Sequence, residues 1–307
     1  MKKPEEQVFI RETSLRDGLQ SVATVVATPD KLAWLDGLHA AGVREAEVGS
    51  FVPPKLLPQL ADTARVVEHA LTLEGLTVSV LVPNLKGAER ALESGAHVMT
   101  FPLSASREHS LANLRKTPEE AIAELGRMRA SRDASGSGCL IEAGIGTAFG
   151  CTLQGKVEEK AVLGMVSALL DAGADRVSLA DTVGFADPAA VERIFGGALH
   201  IAGERLWSAH FHDTRGLGLA NVLAALRTGM RRFDSSTAGI GGCPHAPGAS
   251  GNVTTEDMAF MLERMGFSTG VDIDRLLALR LDIARWLPGE TLNGVLWRAG
   301  QPNFTTA

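Results

Sequence analysis

The feature that most restricts what this 307-residue chain can fold into is an eightfold alternation of short apolar or β-branched runs with longer segments of helical spacing. The runs are QVFIRET, REAEVGSF, LTVSVLVP, HVMTFPLS, CLIEAGI, RVSLAD, WSAHFHD and RFDSSTAGI. The segments between them carry helix punctuation. Thr28 is expected as an N-cap ahead of Pro29, with Gly42 past the end. Thr117-Pro118-Glu119-Glu120 and Asp187-Pro188 open two more helices, and a capping box is expected from Thr254 to Asp257. Strict alternation makes parallel strands joined by crossover helices, and eight units in roughly 250 residues is the size of a (β/α)8 TIM barrel. A doubly wound sheet would carry a glycine-rich phosphate loop after its first strand, and ETSLRDGLQ has no such pattern. The expectation is a single catalytic domain over 1–307. Its barrel covers about 8–267, and a C-terminal helical extension and tail, about 268–307, form a cap.

Composition narrows the function classes. The 45% hydrophobic and 21% charged content suits a soluble globular chain, and no run of about eighteen apolar residues offers a membrane span. The first residues, MKKPEEQVFI, reach acids before any apolar run, so neither a secretory signal nor an arginine-rich transit segment is read and a cytoplasmic location is expected. A net charge of −6 counts against nucleic acid as the main partner. The three cysteines, Cys139, Cys151 and Cys243, are widely spaced with no C-x-x-C pair, which points to neither a disulfide framework nor a thiolate zinc site. Cys139 reads as core, and Cys151 as core, a neighbour of site residues or a redox handle. Cys243 sits in GIGGCPHAPGASGN, where a thiol on a glycine-flanked loop is either a proton donor or nucleophile that moves into the site, or an incidental surface cysteine.

Barrel active sites lie at the C-terminal ends of the strands. The polar residues expected there are Arg16 and Asp17 after the first strand, Glu47 in the second, Asp181 at the end of the sixth, and His210 and His212 on the seventh. At period two both imidazoles point to one side of their strand, about 6.6 Å apart at Cα. An isolated H-x-H is more often one surface and one core histidine, but placement at a barrel mouth favours ligation. With Asp17 the donors become mixed nitrogen and oxygen, a set that suits a divalent cation such as Mg²⁺ or Mn²⁺ with positions left open for substrate. Arg16 reads either as a structural partner of Asp17 or Glu47 or as a group that stabilises an oxyanion. Glu47 and Asp181 read as carboxylates that orient neighbouring groups or, alternatively, transfer protons.

RDGLQ (16–20), AEVGSFVPPKLLPQLAD (46–62), VPNLKG (82–87), SLADTVG (178–184), AHFHDTRGLGLAN (209–221) and GIGGCPHAPGASGNVTTED (239–257) together resemble the 3-hydroxy-3-methylglutaryl-CoA lyase family, over about residues 8–270. The resemblance implies that Asp17, His210, His212 and Asn252 are the divalent-cation ligands and that Arg16, Glu47, Asp181, His210 and Cys243 are catalytic, with Gln20 beside the substrate. It implies cleavage of a 3-hydroxyacyl-CoA into acetyl-CoA and a keto acid, acetoacetate for the methylglutaryl compound. His210 or Asp181 would remove the hydroxyl proton, Arg16 would stabilise the enolate and Cys243 would return a proton. It also implies an acyl-CoA partner, a homo-oligomer (dimer or tetramer), and a place in leucine degradation.

One segment departs from the family. The fourth strand's exit reads SASREHSLANLRKT, where the family reads like A-S-E-x-F-S-x-x-N-x-N. Arg107 stands for the glutamate, His109 for the phenylalanine and Arg115 for the second asparagine, while Asn113 matches the first. Ala23 takes the place of a lysine associated with coenzyme A phosphates. Arg107 and Asn113 are expected to bind substrate, with Arg115 or Lys116 as further basic contacts. Two alternatives stay open. One is a lyase for a related CoA ester, such as citramalyl-CoA or a longer 3-hydroxy-3-alkylglutaryl-CoA. The other is an acyltransferase condensing acetyl-CoA with a 2-oxo acid, favoured by His109 and disfavoured by the short C-terminus.

Overall fold

The computed structural model describes residues 6–242 and 251–302. Eight parallel strands close into a barrel: β1 (Phe9–Glu12), β2 (Glu45–Ser50), β3 (Thr77–Leu81), β4 (Val98–Ser104), β5 (Leu140–Gly146), β6 (Arg176–Asp181), β7 (Leu206–Phe211) and β8 (Arg232–Ser235). β8 returns to β1, with Arg11 opposite Asp234 and Glu12 opposite Ser235. The helices are α1 (Thr28–Ala40), α2 (Thr63–Ala70), α3 (Leu85–Ser94), α4 (Arg107–Leu114), α5 (Pro118–Ser135), α6 (Glu159–Asp171), α7 (Pro188–Ala202), α8 (Gly218–Thr228), α9 (Thr255–Arg264), α10 (Ile273–Trp286) and α11 (Leu296–Ala299). The expected alternation therefore forms the expected barrel, and among the described residues α4 is an additional α-helix inside the β4–α5 connection.

Two cores result. Between the sheet and the helices the packing is apolar, with Trp34, Leu35, Leu38, Leu125, Phe195 and Phe211 fully or almost fully buried. Inside the barrel, where branched aliphatic layers are usual, lies a network of charges. Arg11 donates to both oxygens of Asp234 at 2.9 and 2.8 Å, to Glu142 at 2.8 Å and to Ser208 at 3.0 Å. Arg176 joins Glu142 at 2.8 Å and Glu45 at 3.2 Å, and its guanidinium lies 4.0 Å from the Trp207 ring. Five strands thus meet through two arginines and three carboxylates, all of them buried.

Helix starts follow local chemistry with two corrections. Thr117 and Glu120 form the reciprocal capping box of α5, and Asp187 accepts the N–H groups of Ala189 and Ala190. Thr28, however, lies inside α1 and donates its hydroxyl to Asp62 at 2.8 Å. Asp62 also receives Lys31 at 2.6 Å, so this carboxylate clamps the β2–α2 connection to α1. Thr254 caps α9 only by position, because Asp257 is taken by the N–H groups of Val295 and Leu296, both at 2.9 Å. Strand limits shift as well. Glu6–Gln7 leaves the barrel to pair with Phe267–Ser268, and β8 stops at Ser235 because Thr237–Gly239 forms a tight turn.

α10 packs along α1, with Trp34 and Trp286 stacked at 6.0 Å between ring centroids. The chain beyond it then runs to the barrel mouth. Glu290 accepts the N–H groups of Ala23 and Thr24 there, at 2.8 and 3.1 Å, and Asn293 donates to Gly239 at 2.9 Å.

Candidate active site

The loop leaving β1 is where the site is first built. The N–H groups of Arg16, Asp17 and Gly18 all turn back to the Thr13 carbonyl, at 3.0, 2.8 and 3.2 Å, in one wide turn over Ser14–Gly18. Glu12 anchors the turn by accepting the Ser14 N–H at 2.8 Å, and it also accepts the Thr237 and Thr255 hydroxyls. A side chain at position 18 would collide with Ile240 at 2.7 Å, so glycine lets the two loops meet. The result is that Arg16 and Asp17 both enter the mouth.

Asp17, His210 and His212 come together as their spacing predicts. Their ligand atoms lie within 4.8 Å of one another, and the two Nε2 atoms are 3.0 Å apart. Asp17 Oδ2 is 3.4 Å from His212 Nε2 and 3.9 Å from His210 Nε2. Asn252 joins them because Gly251–Val253 runs beside the end of β7: Asp213 donates to Gly251, Val253 donates to Phe211, and His212 pairs with Asn252. The Asn252 amide nitrogen donates to Asp17 at 2.7 Å, while its buried oxygen has no hydrogen-bond partner among the described residues.

Electrostatics agree with a cation site. Burial alone would raise the Asp17 carboxyl, but Arg16, His212 and His210 outweigh it and hold it well below the usual carboxylate range. Burial disfavours a charged His210, yet its Asp234 hydrogen bond at 3.2 Å and the Asp17 charge raise its pKa overall. Asp234 also fixes that ring with Nδ1 turned away and Nε2 facing the cluster, the arrangement of a carboxylate supporting a histidine ligand. Two imidazole nitrogens, a carboxylate and an amide oxygen left without a partner fit a divalent cation.

Arg16 bridges the two acids expected around it, donating to Glu47 through Nε and to Asp17 through NH1. Glu47 is buried, which raises its pKa against the pull of Arg16, and its Oε1 has no partner among the described residues. These groups border a cavity of about 1510 Å³ that is also lined by Gln20, His109, Asn113, Arg115 and Lys116.

Three expectations are revised or stand apart. Asp181, expected near the reacting atoms, does not line the cavity: its two oxygens accept the N–H groups of Phe185 and Ala186 at 2.8 and 2.9 Å, so it shapes the β6–α7 loop. Arg107 points to solvent, 3.3 Å from Glu119, because it occupies the outer side of α4; the cavity side carries His109, Asn113 and Arg115 instead. Cys243 lies outside the described residues, although its neighbours Gly241 and Gly242 line the cavity. Cys151 is buried and accepts the N–H groups of Leu153 and Gln154 on sulfur, while burial raises the Cys139 thiol to about 11.

Sequence reasoning passed over Arg11, Glu142 and Asp234. Only Glu142 carried a signal, as the single charge in the otherwise apolar LIEAGIG strand of a fold whose strands are buried on both faces.

Comparison with known proteins agrees with this geometry. The HMGL-like family profile matches residues 7–283. A hydroxymethylglutaryl-CoA lyase of Bacillus subtilis is 38% identical over 92% of this chain and 92% of its own. The mitochondrial hydroxymethylglutaryl-CoA lyase of Rattus norvegicus is 38% identical over 89% of this chain and 83% of its own. The structure of an HMG-CoA lyase from Acinetobacter baumannii in complex with coenzyme A and 3-methylmalate superposes with a TM-score of 0.92 at 39% identity, covering 100% of this chain and 99% of that one. The chain belongs to the HMGL-like family, the 3-hydroxy-3-methylglutaryl-CoA lyase group of carbon–carbon lyases.

Proposed function

We propose that this enzyme cleaves 3-hydroxy-3-methylglutaryl-CoA to acetyl-CoA and acetoacetate, using Mg²⁺ or Mn²⁺ held by Asp17, His210, His212 and Asn252. The observation that carries the proposal is the convergence of Asp17, His210 and His212 beside an Arg16–Glu47 pair in one cavity. A divalent cation in that position supplies Lewis acidity toward the substrate's hydroxyl oxygen.

The chain's own groups divide the remaining work. Glu47 is the proposed proton acceptor. Asp181 is engaged by backbone, His210 is needed in the ligand set, and the open Oε1 of Glu47 has a pKa raised by burial. Arg16, held in place by Glu47, is the proposed partner of the enolate oxygen. Cys243, next in sequence to the cavity-lining Gly242, is the proposed proton donor to the acetyl-CoA carbanion. Arg115, whose side chain has no hydrogen bond or ion pair among the described residues, and Lys116 are the proposed contacts to coenzyme A phosphates, in place of Arg107.

Citramalyl-CoA is the second reading, favoured by the relative whose structure holds, with coenzyme A, 3-methylmalate, a five-carbon hydroxydiacid isomeric with citramalate. Incubation with each thioester, with and without Mg²⁺ or Mn²⁺, separates the two by acetyl-CoA release. Metal-dependent release from the methylglutaryl thioester at the higher kcat/KM supports the first reading, and release from neither removes both.

A further inference from the structure

α4 contributes His109, Asn113 and Leu114 to the cavity wall and leads into Arg115, yet its own packing does little to fix its place. Of its eight residues only His109 and Ser110 are buried, both of them polar, and Leu111 is 41% exposed. A helix this short is marginal alone, because nucleation is costly and most helical stability in proteins comes from packing an apolar face. What holds α4 must therefore act largely at its ends.

The start of α4 is held by the loop that follows β5. Ser106, the N-cap, accepts the His109 N–H at 3.2 Å on its hydroxyl, and that hydroxyl donates to Gln154 Oε1 at 3.1 Å. The same oxygen accepts the Arg107 N–H at 2.8 Å, a donor at the first helical position that no carbonyl of the helix can reach. The Ser106 N–H goes to the Thr147 hydroxyl at 3.0 Å. Thr147 is fully buried at φ 54°, in the left-handed region that a β-branched residue rarely occupies, and its own N–H is tied to the Thr182 hydroxyl at 2.9 Å. Gln154 is aimed by a turn of its own. Cys151 and Gly155 exchange backbone hydrogen bonds at 2.8 and 2.7 Å, and the buried Cys151 sulfur accepts the N–H groups of Leu153 and Gln154 inside that turn. The Gln154 amide nitrogen donates to the Lys156 carbonyl at 3.4 Å, which leaves the oxygen for α4. Gln154 itself is exposed and does not line the cavity, so it neither fills the core nor touches what the cavity holds.

We propose that Gln154 is a positioning residue for the thioester. By accepting both donors at the start of α4 it keeps the helix docked so that Asn113, and Arg115 beyond it, face the coenzyme A arm. The proposal rests on the lyase reading for the identity of that ligand. Without the Gln154 oxygen the first turn of α4 opens more often, and apparent affinity falls with the fraction of molecules whose wall is in place. The test compares wild type with Gln154→Ala and Gln154→Glu. A glutamate keeps an acceptor for both donors, and its charge suits a helix N-terminus. Three quantities are read: binding of free coenzyme A by calorimetry, KM and kcat for the methylglutaryl thioester with Mn²⁺ affinity alongside, and hydrogen exchange across residues 107–114.

Gln154→Ala should weaken coenzyme A and raise KM about 3- to 10-fold, the effect of one or two lost neutral hydrogen bonds, and speed α4 exchange by a similar factor. It should leave kcat and Mn²⁺ affinity within about twofold, and Gln154→Glu should restore coenzyme A affinity, KM and exchange. Unchanged α4 exchange in the alanine variant, faster exchange with no loss of coenzyme A affinity, or an equal loss of Mn²⁺ affinity overturns the assignment. A wild type that binds no coenzyme A and releases no acetyl-CoA would instead remove the lyase reading. The hold of Gln154 on α4 would then stand or fall on exchange alone.

Discussion

Arg115 ends α4 in the left-handed region, at φ 56°, a conformation that costs a side-chain-bearing residue about 1 kcal/mol relative to glycine. Its guanidinium lines the cavity mouth instead of pairing with a neighbouring acid. Arg115→Gly should therefore raise stability by about 0.5–1 kcal/mol in denaturant titration while raising the KM for the CoA thioester. A variant that gains stability without a KM change would remove the phosphate role. Glu47→Gln tests a different residue. It should lower kcat by about 10²–10⁴-fold with metal affinity kept, because Gln retains the Arg16 contact and loses only the proton acceptor. At this scale the site was legible wherever chemistry is local. His210 and His212 share a strand face by spacing alone, and Asp17 follows the end of a predicted strand. The placements of Asp181 and Arg107 were not legible because their directions depend on the loop and helix they sit in. The N–H groups of Phe185 and Ala186 claim one, and α4 turns the other outward.

Among the elements, β1 and β8 matter most to the ligands. Arg11 from β1 holds Asp234 on β8, and Asp234 holds His210 on β7, so the metal site is supported from inside the barrel. Asp234→Asn should weaken Mn²⁺ binding about 10- to 100-fold, read by calorimetry or paramagnetic titration. Because the raised pKa of His210 means a proton must leave before it can coordinate, wild-type Mn²⁺ affinity should rise with pH across the imidazole range. An affinity flat in pH would show that His210 is not a ligand. Removing Arg11 strands three buried groups, and Arg11→Ala should cost about 3–5 kcal/mol of stability. The pairings of this network were not legible beforehand. Its bonds join residues 131, 197 and 223 positions apart, and no local period encodes such a pairing.

For the molecule as a whole, stability should depend on one buried acid away from the chemistry. Glu256 accepts the Ala238 N–H and pairs with Arg280 at 2.7 Å, yet burial pushes its pKa from 4.5 up to about 7. A carboxyl whose pKa is higher folded than unfolded stabilises the fold while protonated. That contribution is complete below about pH 4.5 and is lost as pH rises through 7, a span worth about 3 kcal/mol at most. Asp17 and Asp234 are depressed and act in the opposite sense, with their contribution lost only as pH falls below about 4. Glu256→Gln should therefore flatten the decline between pH 4.5 and 7 in denaturant midpoints and leave the acid limb unchanged. The barrel itself was legible because strand and helix alternation is a whole-chain pattern that survives errors in any single boundary. The ion-paired interior gives that barrel a particular order of assembly. Arg11 emerges from the ribosome 223 residues before Asp234, an interval of roughly 10–45 s at ordinary rates of synthesis. Glu142 follows after 131 residues, so the first strand gains one carboxylate partner before the last strand exists and waits for the second. Completing the pairing of Arg11 therefore requires β8 to dock beside β1, so closing the barrel and completing its interior charge network are one and the same step.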